Sequence, residues 1–306
     1  MQRRNIPFDD WACTFTFCEC AENGVGMEQL GALGGRGLTA ADLRAAAAAC
    51  EQAGIACELI DLVAAAGVDA GSYEPAFVLV VRRALPVLLA GAVAAAAAAP
   101  AAAATPAAAA VAAMPAAAAN AATDADATAA ATAAATAALV EEHRAIAAVV
   151  DKKALFRGEV KNKNARWNLC FADYRQEPEY TAGRGRVIDF ADVPLLSAVR
   201  AGIGRFFGAP YARLLAEGNY YYDVARTGIG FHGDAERRVV IALRLGAPIP
   251  LHYQWYSRHQ PVGARVILHL NSGDMYAMSE KAVGTDWKRS AIPTLRHAAG
   301  GPAYTK

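Results

Sequence analysis

The sequence predicts a mixed α+β chain in three parts: a small α/β unit over residues 1–90, an Ala/Pro-rich linker over 91–139, and a β-rich domain over 140–306. Three observations carry this. Strand-like and helix-like patterns alternate in the first 90 residues. Between Gly91 and Leu139, 33 of 49 residues are alanine, whose methyl groups bury little area each. From Asp151 onward charged and aromatic residues dominate, and one helical stretch is followed by six short β-type runs.

In the first part, Trp11-Ala-Cys-Thr-Phe-Thr-Phe17 alternates apolar and polar residues as a half-buried strand does. Leu38 to Ala53 reads as a helix that starts at Thr39, with Asp42 three residues on to complete a capping box. Ala56 to Leu62 and Ala76 to Val81 read as strands, the second with the continuous apolar run of a buried one. The glycines of this region form neither GxGxxG nor GxxxxGK[ST], so a phosphate cradle is absent.

Ala84 to Thr123 is uncharged, but alanine is barely apolar and Pro86, Pro100, Pro106 and Pro115 interrupt the run. It therefore reads as a flexible or patchily helical linker, not a membrane span. Ala137 to Val150 can form a helix, and Phe190 to Phe207 places Leu195, Leu196, Val199, Ile203 and Phe206 on one helical face. The β-type runs are Asn219–Val224, Arg238–Leu245, Leu251–Tyr256, Arg265–Leu270, Asp274–Met278 and Thr294–Ala298. Six strands in so short a stretch imply a barrel or sandwich.

Thirty Lys and Arg against 29 Asp and Glu leave a formal charge of +1, which excludes a protein that wraps duplex DNA by bulk charge. Any nucleic-acid contact must be local. The six cysteines lack CxxC spacing and residues 1–10 lack the apolar core of a secretory signal, so free thiols in a reducing compartment, cytoplasmic or nuclear, are expected.

Chemistry concentrates between Asn219 and Asp234. In a strand, His232 and Asp234 are two apart and point to one face. With a second, distant histidine they compose the 2-His-1-carboxylate triad that binds Fe(II) and leaves three positions open. His252, His259, His269 and His297 follow in sequence.

Asn219-x-Tyr221, then Ile229-Gly-x-His232-x-Asp234, then Glu236, a strand ending Arg244-Leu-Gly, and the turn and strand Gly273-Asp274-Met-Tyr-Ala-Met278 together resemble the AlkB-like family of Fe(II)/2-oxoglutarate dioxygenases, over residues 151–300. The resemblance implies a double-stranded β-helix (jelly roll), with Fe(II), 2-oxoglutarate and O2 as the reacting set. It implies His232, Asp234 and His297 as metal ligands, His297 lying on the strand after the Gly-Asp turn. His269 then reads as a barrel-face histidine, His259 as a hairpin-loop residue and His252 as a pocket-lining one. Asn219 and Tyr221, with Tyr222 competing, are similar to the family's co-substrate-binding pair. The family's arginine beyond the distal histidine has no match, since none of the nine residues after His297 is Arg. On its strand Arg244 shares a face with Val240 and Ala242, so it is the expected substitute, with Arg265 in reserve and Arg296 turned away.

Upstream, Lys161 to Tyr174 interleaves basic and aromatic residues, similar to the lid that the family lays over nucleic acid. Lys163 and Arg166 would contact phosphate, and Trp167 and Tyr174 would stack on a single-stranded or flipped base. The expected activity is oxidation of a nucleic-acid base, most simply N-demethylation. The alternatives are hydroxylation of a base, protein side chain or small molecule on the same fold, or a catalytically silent binding module.

Overall fold

A computed structural model describes residues 11–98 and 125–306. Its strands are β1 (Ala12–Cys18), β2 (Cys20–Glu22), β3 (Gln29–Gly31), β4 (Cys57–Asp61), β5 (Phe77–Val81), β6 (Lys153–Phe156), β7 (Glu159–Asn162), β8 (Trp167–Ala172), β9 (Val187–Asp189), β10 (Leu215–Tyr221), β11 (Gly228–His232), β12 (Val240–Gly246), β13 (Ile249–Ser257), β14 (Gln260–Leu270), β15 (Met275–Met278) and β16 (Thr294–Gly300). They form an eight-stranded sheet in the order β4-β5-β15-β12-β1-β10-β8-β9 and a four-stranded sheet in the order β11-β16-β13-β14, besides two small hairpins. The pairings are antiparallel except that of β8 with β9. The protein is therefore a mixed α+β fold built mainly on antiparallel sheets.

The large sheet is buried on both faces. One face packs beneath helices Ala40–Gln52, Ala84–Ala98, Ala125–Ile146 and Pro194–Phe207, where Phe15, Phe17, Leu43, Leu79, Leu88, Leu139, Leu196 and Leu243 share one core. The other face meets the small sheet across a second core that includes Val80, Tyr221, Val240, Tyr276, Leu251, Tyr253, Trp255 and Leu295. Period-two alternation assigns each residue to its layer. On β12, Ile241, Leu243 and Leu245 go to the helices while Val240, Ala242 and Arg244 face the small sheet.

Two expectations about domains are corrected. The described part of the unit expected over 1–90, residues 11–90, is not separate, because β1, β4 and β5 lie in the same sheet as β10, β12 and β15. β1 is a central strand, paired with β10 on one side and β12 on the other, and all seven of its residues are buried. Its alternation of phenylalanine and threonine reflects a core face and a pocket face, with no face turned to water.

The linker expected over 91–139 is also corrected where it is described. Helix Ala84–Ala98 buries Leu85, Leu88 and Leu89, and helix Ala125–Ile146 buries Ala131, Ala135 and Leu139. Alanine contributes little area but lets a helix axis approach closely. Residues 99–124 lie outside the described residues.

The remaining elements lie near their expected places. Thr39 and Asp42 form a reciprocal capping box on the first helix. Helix Pro194–Phe207 buries Leu195, Leu196, Val199 and Ile203. Free cysteines are buried except the half-buried Cys57. Among the described residues, no helix is long and apolar enough to cross a membrane.

Candidate metal centre

β11 ends at His232, and the chain turns sharply through Gly233, where a β-carbon would collide with the backbone of Gly284. The turn brings Asp234 back beside the strand, where its backbone N–H donates to the Val283 carbonyl at 3.0 Å. β16 pairs with β11 so that His297 is the cross-strand partner of His232. Their rings lie 4.5 Å apart between centroids.

His232 Nε2 is 3.3 Å from Asp234 Oδ1, and His297 Nε2 is 3.8 Å from Asp234 Oδ2. One ligand atom from each of the three residues lies within 4.8 Å of the others, the spacing of donors around one ion. His232 Nδ1 sits 2.8 Å from the Gly230 carbonyl and 3.0 Å from the His297 carbonyl. Carbonyls only accept, so Nδ1 carries the proton and Nε2 presents its lone pair to the centre.

The electrostatics hold the ligand forms. Burial and the adjacent His232 push His297 down to about 3, leaving its imidazole neutral. Burial alone would raise the Asp234 carboxyl, but the Arg237 guanidinium offsets this and holds it well below the ordinary carboxylate range.

The three residues line a cavity of about 570 Å³ between the sheets, together with Thr14, Thr16, Asn219, Tyr221, Arg244 and Tyr276. Arg244 is 0 % exposed. Its Nη1 donates to Thr14 Oγ1 at 2.6 Å, while Nε and Nη2 have no hydrogen-bond partner, and no carboxylate pairs with it among the described residues. A permanently charged guanidinium removed from water without an anion is costly, so the site fits an anionic ligand. The Tyr221 and Tyr276 phenols lie close enough for its charge to act on them.

Asn219 Oδ1 accepts from Arg166 Nε at 2.5 Å and Asn168 Nδ2 at 2.9 Å. Glu217, two residues earlier on β10, accepts from Arg237 Nη2 at 2.7 Å in a buried ion pair that also engages Glu236. Sequence reading passed over Thr14, Glu217, Arg237 and Tyr276. Glu217 was findable, since alternation puts residues 217, 219 and 221 on one face.

Other expected site residues are distributed differently. Arg166 lines the cavity, but Lys163, Trp167 and Tyr174 do not. Lys163 Nζ donates to the Asn23 carbonyl at 2.5 Å, and burial pushes it down to about 8. Trp167 stacks on Tyr222 at 4.2 Å and carries the Lys152 ammonium at 4.3 Å, so its ring is already engaged. Tyr174 is exposed away from the cavity. His252 does not line it either: its neighbours Leu251 and Tyr253 turn inward, so it faces outward from the small sheet. Arg265, the reserve cation, also points outward and donates to the Thr305 carbonyl.

Fold and site define a two-sheet α+β protein with a His–Asp–His centre in an intersheet cavity. No family model matches the chain. It is 39 % identical over 296 residues to an uncharacterized protein of Acanthamoeba polyphaga mimivirus, an alignment spanning 96 % of this chain and 97 % of that protein. The chain belongs to the family of that viral protein.

Proposed function

We propose that this chain is an Fe(II)- and 2-oxoglutarate-dependent dioxygenase similar to the AlkB-like enzymes, oxidising a nucleic-acid base, most simply by N-demethylation. The observation that carries it is the juxtaposition, in one cavity, of His232, Asp234 and His297 with the buried, unpaired Arg244 guanidinium. A metal triad alone fits many ions, but a cation awaiting an anion beside it fits a carboxylate-bearing co-substrate.

Strand order supports a jelly roll. From β10 to β16 the chain visits the two sheets in the order large, small, large, small, small, large, small. The next strand of such a roll would enter the large sheet between β10 and β12, and that slot is filled by β1. The strand that carries the family's arginine is thereby supplied from the other end of the sequence. It brings Thr14 and Thr16 to the cavity, while the cation comes from the adjacent β12. This removes the main reason to read the chain as a silent module.

In this reading His232, Asp234 and His297 hold Fe(II), which when bound supplies the oxidative chemistry with O2. Arg244, positioned by Thr14, pairs the distal carboxylate of 2-oxoglutarate, and the Tyr221 phenol donates to it. Arg166 fixes the Asn219 amide, leaving its N–H groups toward no described acceptor. The buried Glu217–Arg237 pair keeps a positive charge near Asp234 and so keeps that ligand ionised.

Hydroxylation of a protein side chain or small molecule is the second reading. It is favoured by the internal engagement of Lys163 and Trp167, which leaves Tyr174, exposed away from the cavity, as the remaining ring of the expected lid.

Anaerobic titration with Fe(II) and then 2-oxoglutarate tests the proposal. The expected result is a visible metal-to-ligand charge-transfer band, with succinate released on admission of O2. Tight iron binding with no band would overturn the co-substrate.

A further inference from the structure

The small sheet has a second face, turned away from the cavity. Alternation along β13, β14 and β16 puts Tyr256, Arg265 and Arg296 there, opposite the inward Leu251, Tyr253 and Leu295, and Phe231 of β11 meets Arg265 and Tyr256. Cations and rings interleave across it. Arg265 lies 4.9 Å from the Phe231 ring centroid, Phe231 is 6.2 Å from Tyr256, and Arg296 sits 4.0 Å over Tyr256 and 5.4 Å from Trp287. Phe231, Trp287 and Lys288 also line the cavity, so the row is continuous with it.

This region is free of acid. Residues 249–273 and 287–306 contain no Asp or Glu, but carry Arg258, Arg265, Lys288, Arg289, Arg296 and Lys306. None of the first five forms an ion pair among the described residues, whereas the exposed Arg226 pairs with Asp223. The chain as a whole is nearly neutral, so the positive charge is concentrated here. A further observation points to a missing ligand. His252, 8 % exposed on this face, has both ring nitrogens without a hydrogen-bond partner.

We infer that this outer face of the small sheet is a docking track for single-stranded nucleic acid that leads to the cavity. Unpaired cations track a phosphate backbone, and rings among them accept the unstacked bases that a single strand exposes and a duplex hides. An acidic peptide would satisfy the charges but not the rings. The inference goes beyond the iron-dependent reading and does not need it.

The test is fluorescence anisotropy of a labelled 20-residue oligothymidylate with the full chain, without iron, over a salt series. Arg265→Gln/Arg296→Gln is expected to weaken binding about tenfold and to reduce the salt slope by roughly 1.4, two contacts at about 0.7 each. Arg258→Glu/Arg289→Glu, at positions whose side chains support no ion pair, is expected to weaken it similarly and guards against misfolding of the first variant. His232→Ala is expected to bind as the wild type does while losing the charge-transfer band, which separates this track from the metal centre. Wild-type affinity in both arginine variants would overturn the inference, as would loss of binding in His232→Ala. Competition by inorganic polyphosphate as effective as that by unlabelled oligothymidylate would also overturn it, since the rings would then have no part.

Discussion

Thr14 and Arg244 are direct cross-strand partners on β1 and β12, and the threonine hydroxyl accepts from the arginine at 2.6 Å. They are 230 residues apart in sequence, yet this contact orients a fully buried guanidinium that no carboxylate pairs among the described residues. Its consequence is a trade between stability and binding.

Arg244→Met is expected to leave the melting temperature unchanged or raised, because replacing a buried uncompensated charge with an apolar side chain of similar size is neutral or stabilising. The same variant is expected to lose about 2–5 kcal/mol of 2-oxoglutarate affinity with iron binding retained. Calorimetric titration of the iron-loaded protein checks this. Unchanged affinity would remove Arg244 from the site.

Thr14→Val keeps volume and removes the hydroxyl. Loss of one hydrogen bond to a charged group should cost about 1.5–3 kcal/mol of co-substrate binding. The charge-transfer titration reads it, and an unaltered midpoint would mean that Arg244 needs no positioning from β1.

Asp234→Ala removes the carboxylate shared by both imidazoles. Iron binding should fall by at least 100-fold while the fold persists, as judged by an unchanged far-ultraviolet dichroism spectrum. Retention of tight iron binding would assign the metal elsewhere.

His143, buried against Phe15 with ring centroids 4.4 Å apart, is pushed down to about 4 by burial. Its folded value lies below the unfolded value near 6.5, so the unfolded chain binds the extra proton between these limits. The stability it permits is fully present above about pH 6.5 and is lost as pH falls toward 4, by about 3 kcal/mol in all. Urea unfolding of the wild type and His143→Leu should diverge only in that window, the wild type losing stability faster. Parallel pH profiles would refute the assignment.

Ala135 is fully buried where helix Ala125–Ile146 meets the core. Ala135→Leu should cost about 1–3 kcal/mol by overpacking. A neutral result in thermal unfolding would mean that the helix is not docked.

Local pattern alone determined much of this protein. Alternation marked β1 and β12 and sorted the two faces of β12; a continuous apolar run marked β5; and the Thr39–Asp42 box marked a helix start, whereas Asp234 joins His232 through the turn at Gly233 and not by alternation along one strand. These are legible because side-chain direction repeats every two residues in a strand and every 3.6 in a helix, whatever lies around them. Tertiary structure decided the rest. Only the β11–β16 register brings His297 opposite His232, and only the insertion of β1 between β10 and β12 turns Thr14 toward Arg244. That insertion and the β5–β15 pairing together merge residues 11–90 with the sheet that holds the site. Strand neighbours are chosen by which faces bury best over long sequence separations, a competition among whole-chain arrangements that leaves no mark in any short window. The docking of alanine-rich helices followed the same logic: small side chains look like linker until a complementary surface, here the outer face of the large sheet, comes close enough to pack against them.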